Sequence, residues 1–214
     1  MGIKKEPPQV TALCLEETVR FAGSEIPVRI EYPRLSGSGY AVRRINRFYA
    51  HAAAALLRFV RRTAGSKRRS PLDAVRAGFT VACCGARHLS LCRQITCRTH
   101  TDAPETLQLS ETWDLQTGFL CQPYQFLPHR NLRALRKTAV DLAAAQADKS
   151  RSVQPASGYA ARIRRSTDPK NYYVTDTEVF LFFPPGTLAP ADEGVVTLRL
   201  ARRADVSAPG KEAR

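Results

Sequence analysis

Apolar and polar residues alternate at the start of the chain. Leu13, Leu15, Val19 and Phe21 share one face, with Glu16, Thr18 and Arg20 on the other, which predicts a strand from Val10. Ala22-Gly23-Ser24 is a turn signal, and Ile26, Val28, Ile30 and Tyr32 form a second alternating run, closed by Pro33 and Ser36-Gly37-Ser38-Gly39. So short a link suggests an antiparallel pair. The period then lengthens. Val42, Ile45, Tyr49, Ala52 or Ala53, Leu56 and Val60 recur at steps of three and four, predicting an amphipathic helix over 42–62.

Three strand candidates follow the basic stretch Lys67-Arg68-Arg69-Ser70-Pro71: Phe79 to Cys84, Leu89 to Cys97 and Leu107 to Trp113. Asp114-Leu115-Gln116-Thr117-Gly118 reads as a hairpin-type turn with a short second arm from Phe119 to Tyr124. Leu132, Leu135, Ala139 and Leu142 mark a second helix, about Asn131 to Ala147, and residues 148–157 read as a loop. Strands are expected again at Tyr159 to Ile163, Tyr172 to Thr175, Val179 to Phe183 and Val195 to Leu200. The run Val179 to Phe183 is apolar on both faces, as a doubly covered central strand would be. The order lacks regular βαβ alternation. It predicts an α+β fold, an antiparallel mixed-order sheet with two main helices packed on it. One domain over 10–200 is expected, with polar tails at 1–9 and 203–214.

Charge changes this picture most. The chain of 214 residues carries a net charge of +14, and arginine outnumbers lysine 26 to 7. Such a field attracts anions: nucleic acid, an anionic polymer or an acidic protein. At 100° per residue, Arg43, Arg44, Arg47, His51, Arg58, Arg61 and Arg62 fall together opposite the apolar stripe of the first helix. With Lys67, Arg68 and Arg69 these arginines are the candidate anion-binding residues. The plain alternative is a solvated outer face of a helix lying on a sheet. Aromatic residues are not interleaved with these arginines in sequence, as stacking platforms for a single strand would require. Nucleic acid is therefore the second reading.

No segment approaches the ~20 apolar residues of a membrane-spanning helix. The N-terminus has no apolar stretch behind its lysines, so a cytoplasmic protein without membrane insertion is expected. Cys14, Cys83, Cys84, Cys92, Cys97 and Cys121 fit no zinc spacing, and on a strand Cys92 and Cys97 face opposite ways; structural thiols are expected. His51, His88, His100 and His129 fall in different elements. His100 with Asp102, or Glu105 with Glu111 and Asp114, are the nearest approach to a reactive group, and neither has a nucleophile with an oxyanion signature. No phosphate-loop or nucleophile-elbow motif appears. The expectation is a binding protein, not an enzyme, with no cofactor and no metal.

Several landmarks occur in order: Tyr32-Pro33-Arg34-Leu35-Ser36-Gly37, Ile45-Asn46-Arg47-Phe48-Tyr49, Leu89-Ser90-Leu91, Thr112-Trp113-Asp114-Leu115-Gln116-Thr117-Gly118, Asn171-Tyr172-Tyr173-Val174-Thr175, and Phe182-Phe183-Pro184-Pro185-Gly186-Thr187-Leu188-Ala189-Pro190 before Glu193-Gly194. This series resembles the domain of unknown function shared by RsiV-type anti-sigma factors and the non-catalytic part of PdaC-type peptidoglycan deacetylases. The resemblance covers about residues 10–200. It implies a ligand-sensing module, with the sigma-binding segment, membrane helix and deacetylase domain of those proteins lacking from this sequence. In RsiV-type proteins the domain binds lysozyme. Here that partner is disfavoured, because typical lysozymes are basic and like potentials suppress association. The residues of the landmarks themselves read as turn and cap chemistry.

Overall fold

In the computed structural model the described residues are 6–21, 24–64, 72–100, 104–127, 131–149 and 158–202. They form two compact units. The first comprises residues 1–109 and 113–119, the second residues 110–112 and 120–214.

The first unit is built on a five-stranded sheet in the order β1-β2-β3-β4-β5. Its strands are β1 (Val10–Phe21), β2 (Ser24–Leu35), β3 (Leu72–Cys84), β4 (His88–Thr99) and β5 (Glu105–Asp114). β1 and β2 pair antiparallel along their whole length, from Val10 with Leu35 to Phe21 with Ser24. β3 and β4 are also antiparallel. The α+β fold is as expected, and within its mainly antiparallel sheet one pairing is parallel: β2 with β3, through Val28–Val75, Arg29–Arg76 and Ile30–Ala77. The cause is α1 (Tyr40–Ala64), a 25-residue helix that carries the chain back before β3 starts. β3 begins at Leu72, seven residues before the alternation becomes legible at Phe79.

Pro33 does not end β2, which continues to Leu35. The Leu35 N–H donates to Asn46 Oδ1 at 2.8 Å and the Asn46 amide donates back to the Leu35 carbonyl at 2.9 Å. Leu35 therefore turns its backbone groups away from β1, and so does Pro33, two residues earlier. The ladder to β3 has already stopped on that side, so the missing proline N–H breaks no strand pairing.

α1 lies on the sheet through Ala41, Ile45, Tyr49, Ala53, Leu57 and Val60, all buried. Ala53, Leu57 and Val60 meet Val19, Ile26, Val28, Ile30, Leu72 and Val75 in one cluster, and Ile45 and Tyr49 meet Leu35, Leu89, Leu91 and Trp113 in another. Val42 and Leu56, expected on the core stripe, are half-buried at its border. Trp113 Nε1 donates to the Tyr49 hydroxyl at 2.7 Å in the interior, and Phe48 packs edge-on against both rings. The two aromatic landmark segments thus meet, for packing.

The second unit holds a three-stranded antiparallel sheet, β6 (Tyr172–Val174), β7 (Glu178–Phe183) and β8 (Val196–Arg202), with β7 central as its apolar faces predict. α2 (Leu132–Lys149) starts where Asn131 Oδ1 accepts the Ala134 N–H at 2.7 Å, a side-chain N-cap. The predicted strand at Tyr159–Ile163 is instead a helix, α3 (Tyr159–Ser166). Five residues of alternation are too few to separate the two periods. Two alanines favour the helix, and the interior is reached by Ile163 packing with Ala139, Leu181 and Leu198. Phe119 to Tyr124 is no strand arm: only Leu120 makes a bridge, and Pro123–Gln125 is a 3-10 turn. Among the described residues no helix is long and apolar enough to cross a membrane.

Candidate functional site

The arginines of α1 are all exposed: Arg43, Arg44, Arg47, Arg58, Arg61 and Arg62, with His51 between them. Lys67, Arg68 and Arg69 lie outside the described residues. The face is not uniform. Arg61 is engaged by Glu17 of β1, its Nε and Nη2 donating to the carboxylate at 2.7 to 3.0 Å. That pair fastens the C-terminal half of α1 to the sheet. Arg58 and Arg62 have no such partner among the described residues.

The N-terminal half is organised differently. Arg43 donates to the Ser38 carbonyl. The Arg44 guanidinium lies 3.9 Å above the Phe119 ring, and its Nη1 stands 3.3 Å from the Tyr40 hydroxyl. Tyr40 and Phe119 are 63% and 53% exposed, so both rings stand open beside the arginines. Arg47, one turn from Arg43, has no hydrogen-bond partner among the described residues.

Phe119 is delivered by the turn after β5. Asp114 Oδ1 accepts the backbone N–H groups of Gln116 at 2.8 Å and Thr117 at 3.1 Å, and the Gly118 N–H closes on the Asp114 carbonyl at 2.8 Å. Partial burial alone would raise the Asp114 pKa. The two backbone hydrogen bonds, with Arg87 and His88 nearby, outweigh it and hold the carboxyl below its ordinary range. Gly118 has φ +71°, and a Cβ there would stand 2.7 Å from Ala41 Cα. Only glycine lets this turn press onto the first turn of α1, which fixes Phe119 under Arg44.

Placing three arginines in the first two turns of α1 is electrostatically unfavourable. The first turn holds no acidic residue, and cations oppose the positive end of the helix dipole. The pairs Arg43–Arg47 and Arg44–Arg47 repel, each by about 0.2–0.5 kcal/mol. Among the described residues no carboxylate offsets this; Arg43 is held by the Ser38 carbonyl, and Arg44 by the Tyr40 hydroxyl and the Phe119 ring, the last contact worth about 0.5–1 kcal/mol at an exposed site. A cluster that local rules disfavour is where a binding role is expected.

The other candidates do not assemble. Asp102 and His129 lie outside the described residues; His100 Nδ1 sits 3.8 Å from Asp73 instead. Glu105, Glu111 and Asp114 are strung along β5, where residues six apart stand about 20 Å apart. Among the described residues no three metal-ligating side chains come together. The six cysteines are thiols rather than disulfide partners, and Cys92 and Cys97 do face opposite ways, Cys97 into the first core cluster.

Sequence reasoning missed Tyr40 and Phe119. The spacing of Tyr40 to Arg44, four residues on a helix, was available. The approach of Phe119, 75 residues further on, was not.

No family model matches the chain, and no curated protein matches it. Solved structures do. A DUF3298 family protein from Pseudomonas aeruginosa PAO1 superposes with a TM-score of 0.67 at 12% identity, covering 96% of this chain and 99% of that one. A DUF3298 family member from Bacteroides fragilis NCTC 9343 superposes with a TM-score of 0.61 at 10% identity, covering 92% and 91%. At these identities the likeness establishes a shared fold.

Proposed function

We infer that this chain is a non-enzymatic binding module that recognises an acidic protein surface through the N-terminal half of α1. The fold is that of DUF3298 proteins. The RsiV/PdaC resemblance suggests in addition a sensing role. The observation that carries the reading is the cluster of Arg43, Arg44 and Arg47 beside the exposed rings of Tyr40 and Phe119. Arginine, tyrosine and other aromatics dominate the energetic centres of protein interfaces. Arg44 is already held over Phe119, so less side-chain freedom is lost on binding. A net charge of +14 steers acidic partners and disfavours a basic one such as lysozyme.

A second reading, single-stranded nucleic acid, is favoured by one observation. The fold brings Phe119, 75 residues further along the chain, onto Arg44 beside Tyr40, and a ring beside a cation is a stacking platform. A salt series separates the two. An acidic peptide of alternating glutamate and tyrosine and an oligothymidylate of equal charge are titrated into the full chain. The proposal expects the peptide to bind more tightly at physiological salt. Tighter oligothymidylate binding, lost steeply with salt, replaces it with the second reading. Binding of neither overturns both.

A further inference from the structure

We propose that the sheet face opposite α1 carries a second, separate binding site: a groove floored by Gly78 that takes a sugar-sized ligand bearing a carboxylate or phosphate. The groove has a volume of about 430 Å³, within the roughly 300–1,000 Å³ range of small-ligand sites. Its walls are Arg29 and Glu31 of β2, Arg76 and Thr80 of β3, and Gln94 of β4.

Strand register explains how it arises. Val75, Ala77 and Phe79 pack toward α1, so Arg76, Gly78 and Thr80 face the other way. Gly78 is opposite Gln94, and Arg76 is opposite Thr96. The neighbours of Gly78 on this face are polar apart from Cys92, and the side chain that glycine lacks deepens the groove between them. Nothing in the fold demands glycine there. A Cβ would meet no atom within 4 Å, and the backbone is not in the left-handed region. Glycine inside a strand weakens it and marks a place where something else approaches closely. The groove also opens where β2 and β3 cease to pair, beyond Ile30 and Ala77.

The charges identify the ligand class. Arg29 and Arg76 are lateral neighbours on adjacent strands. Like charges so placed repel. Arg29 is satisfied by Glu16 at 2.5 Å and Glu31 at 2.6 Å. Arg76 is exposed and has no carboxylate partner among the described residues, which leaves a planar fork of donors suited to an oxyanion. The rest of the rim both donates and accepts: Gln94 Nε2 donates to Gln108 Oε1 at 3.2 Å, and Thr96 and Thr106 share a hydroxyl contact at 3.3 Å. Such a mixture matches hydroxyl groups on the body of the ligand, not a bare anion.

The test is amide NMR on the full chain, with glucuronate, glucose 6-phosphate, glucose and inorganic phosphate as probes. Glucuronate, glucose 6-phosphate or both should shift the Gly78, Thr80 and Gln94 resonances, more strongly than glucose or phosphate. Arg76→Gln should weaken this binding about tenfold, the scale of one charge-assisted pair. Gly78→Ala should weaken it, and Gly78→Leu should abolish it while the melting temperature is kept or raised. Three results would each overturn the proposal: no shift by either sugar anion at about 10 mM, equal affinity for inorganic phosphate and glucose 6-phosphate, or unchanged affinity in Gly78→Leu. Replacing Arg43, Arg44 and Arg47 should leave these titrations untouched, so failure of the α1 reading and failure of this one are separable.

Discussion

Gly118→Ala tests how the α1 site is assembled. Two costs add. Alanine at φ +71° sits in a region that costs an L-residue about 1–2 kcal/mol. Its Cβ would also stand 2.7 Å from Ala41 Cα and 3.1 Å from the Ala41 carbonyl oxygen. Both are backbone atoms that cannot swing aside, so the turn must lift from the helix, at about 1–3 kcal/mol, as for other overpacked sites. The expected loss is about 2–5 kcal/mol in urea unfolding. The single tryptophan, Trp113, lies next to the turn and provides the fluorescence signal. Gly37→Ala is the control. It has φ +102° but only Val42 Cγ2 at 4.0 Å, so it carries the backbone cost alone. If the two variants lose stability equally, the close approach of turn to helix is wrong.

Three further outcomes follow from the same geometry. Tyr49→Phe removes the buried acceptor of the Trp113 indole N–H and should cost about 1–3 kcal/mol in urea unfolding, with altered Trp113 emission. Asn46→Leu strands the Leu35 N–H and C=O together and should cost about 2–4 kcal/mol by the same assay, more than Asn46→Asp, which keeps the acceptor. The Asp114 carboxyl has a lowered folded-state pKa, so its stabilising contribution is complete above the ordinary carboxylate value of about 4 and disappears as pH falls through the folded value. An acid-unfolding series should therefore show Asp114→Asn losing less stability than the parent below about pH 4.

Much of the fold was legible because two periods separate cleanly over long segments. β1, β2 and α1 each run 12 residues or more; the strand stripes predict Val19, Ile26, Val28 and Ile30 in the core, and the α1 stripe matches the buried positions to within one residue. Where the signal is short or interrupted, legibility fails. α3 is eight residues long, and tertiary burial of Ile163 decides its type. The start of β3 is hidden because Arg76 and Gly78 fall on its outer face, and its parallel pairing depends on the path taken by α1. The arginine face followed directly from helical spacing. What it lacked was the partition among its members. Glu17 takes Arg61 and Phe119 supports Arg44 across separations of 44 and 75 residues, which local pattern does not encode.

The most direct test of the central claim is calorimetric titration of the glutamate–tyrosine peptide at physiological salt into the parent chain, the combined variant Arg43→Gln, Arg44→Gln, Arg47→Gln, and the variant Arg58→Gln, Arg62→Gln. The parent should bind, the first variant should lose at least about tenfold, and the second should change little, because Arg58 and Arg62 lie away from Tyr40 and Phe119. Equal losses in both would mean that the helix attracts anions by net charge alone, and no loss in either would place the ligand elsewhere on the protein.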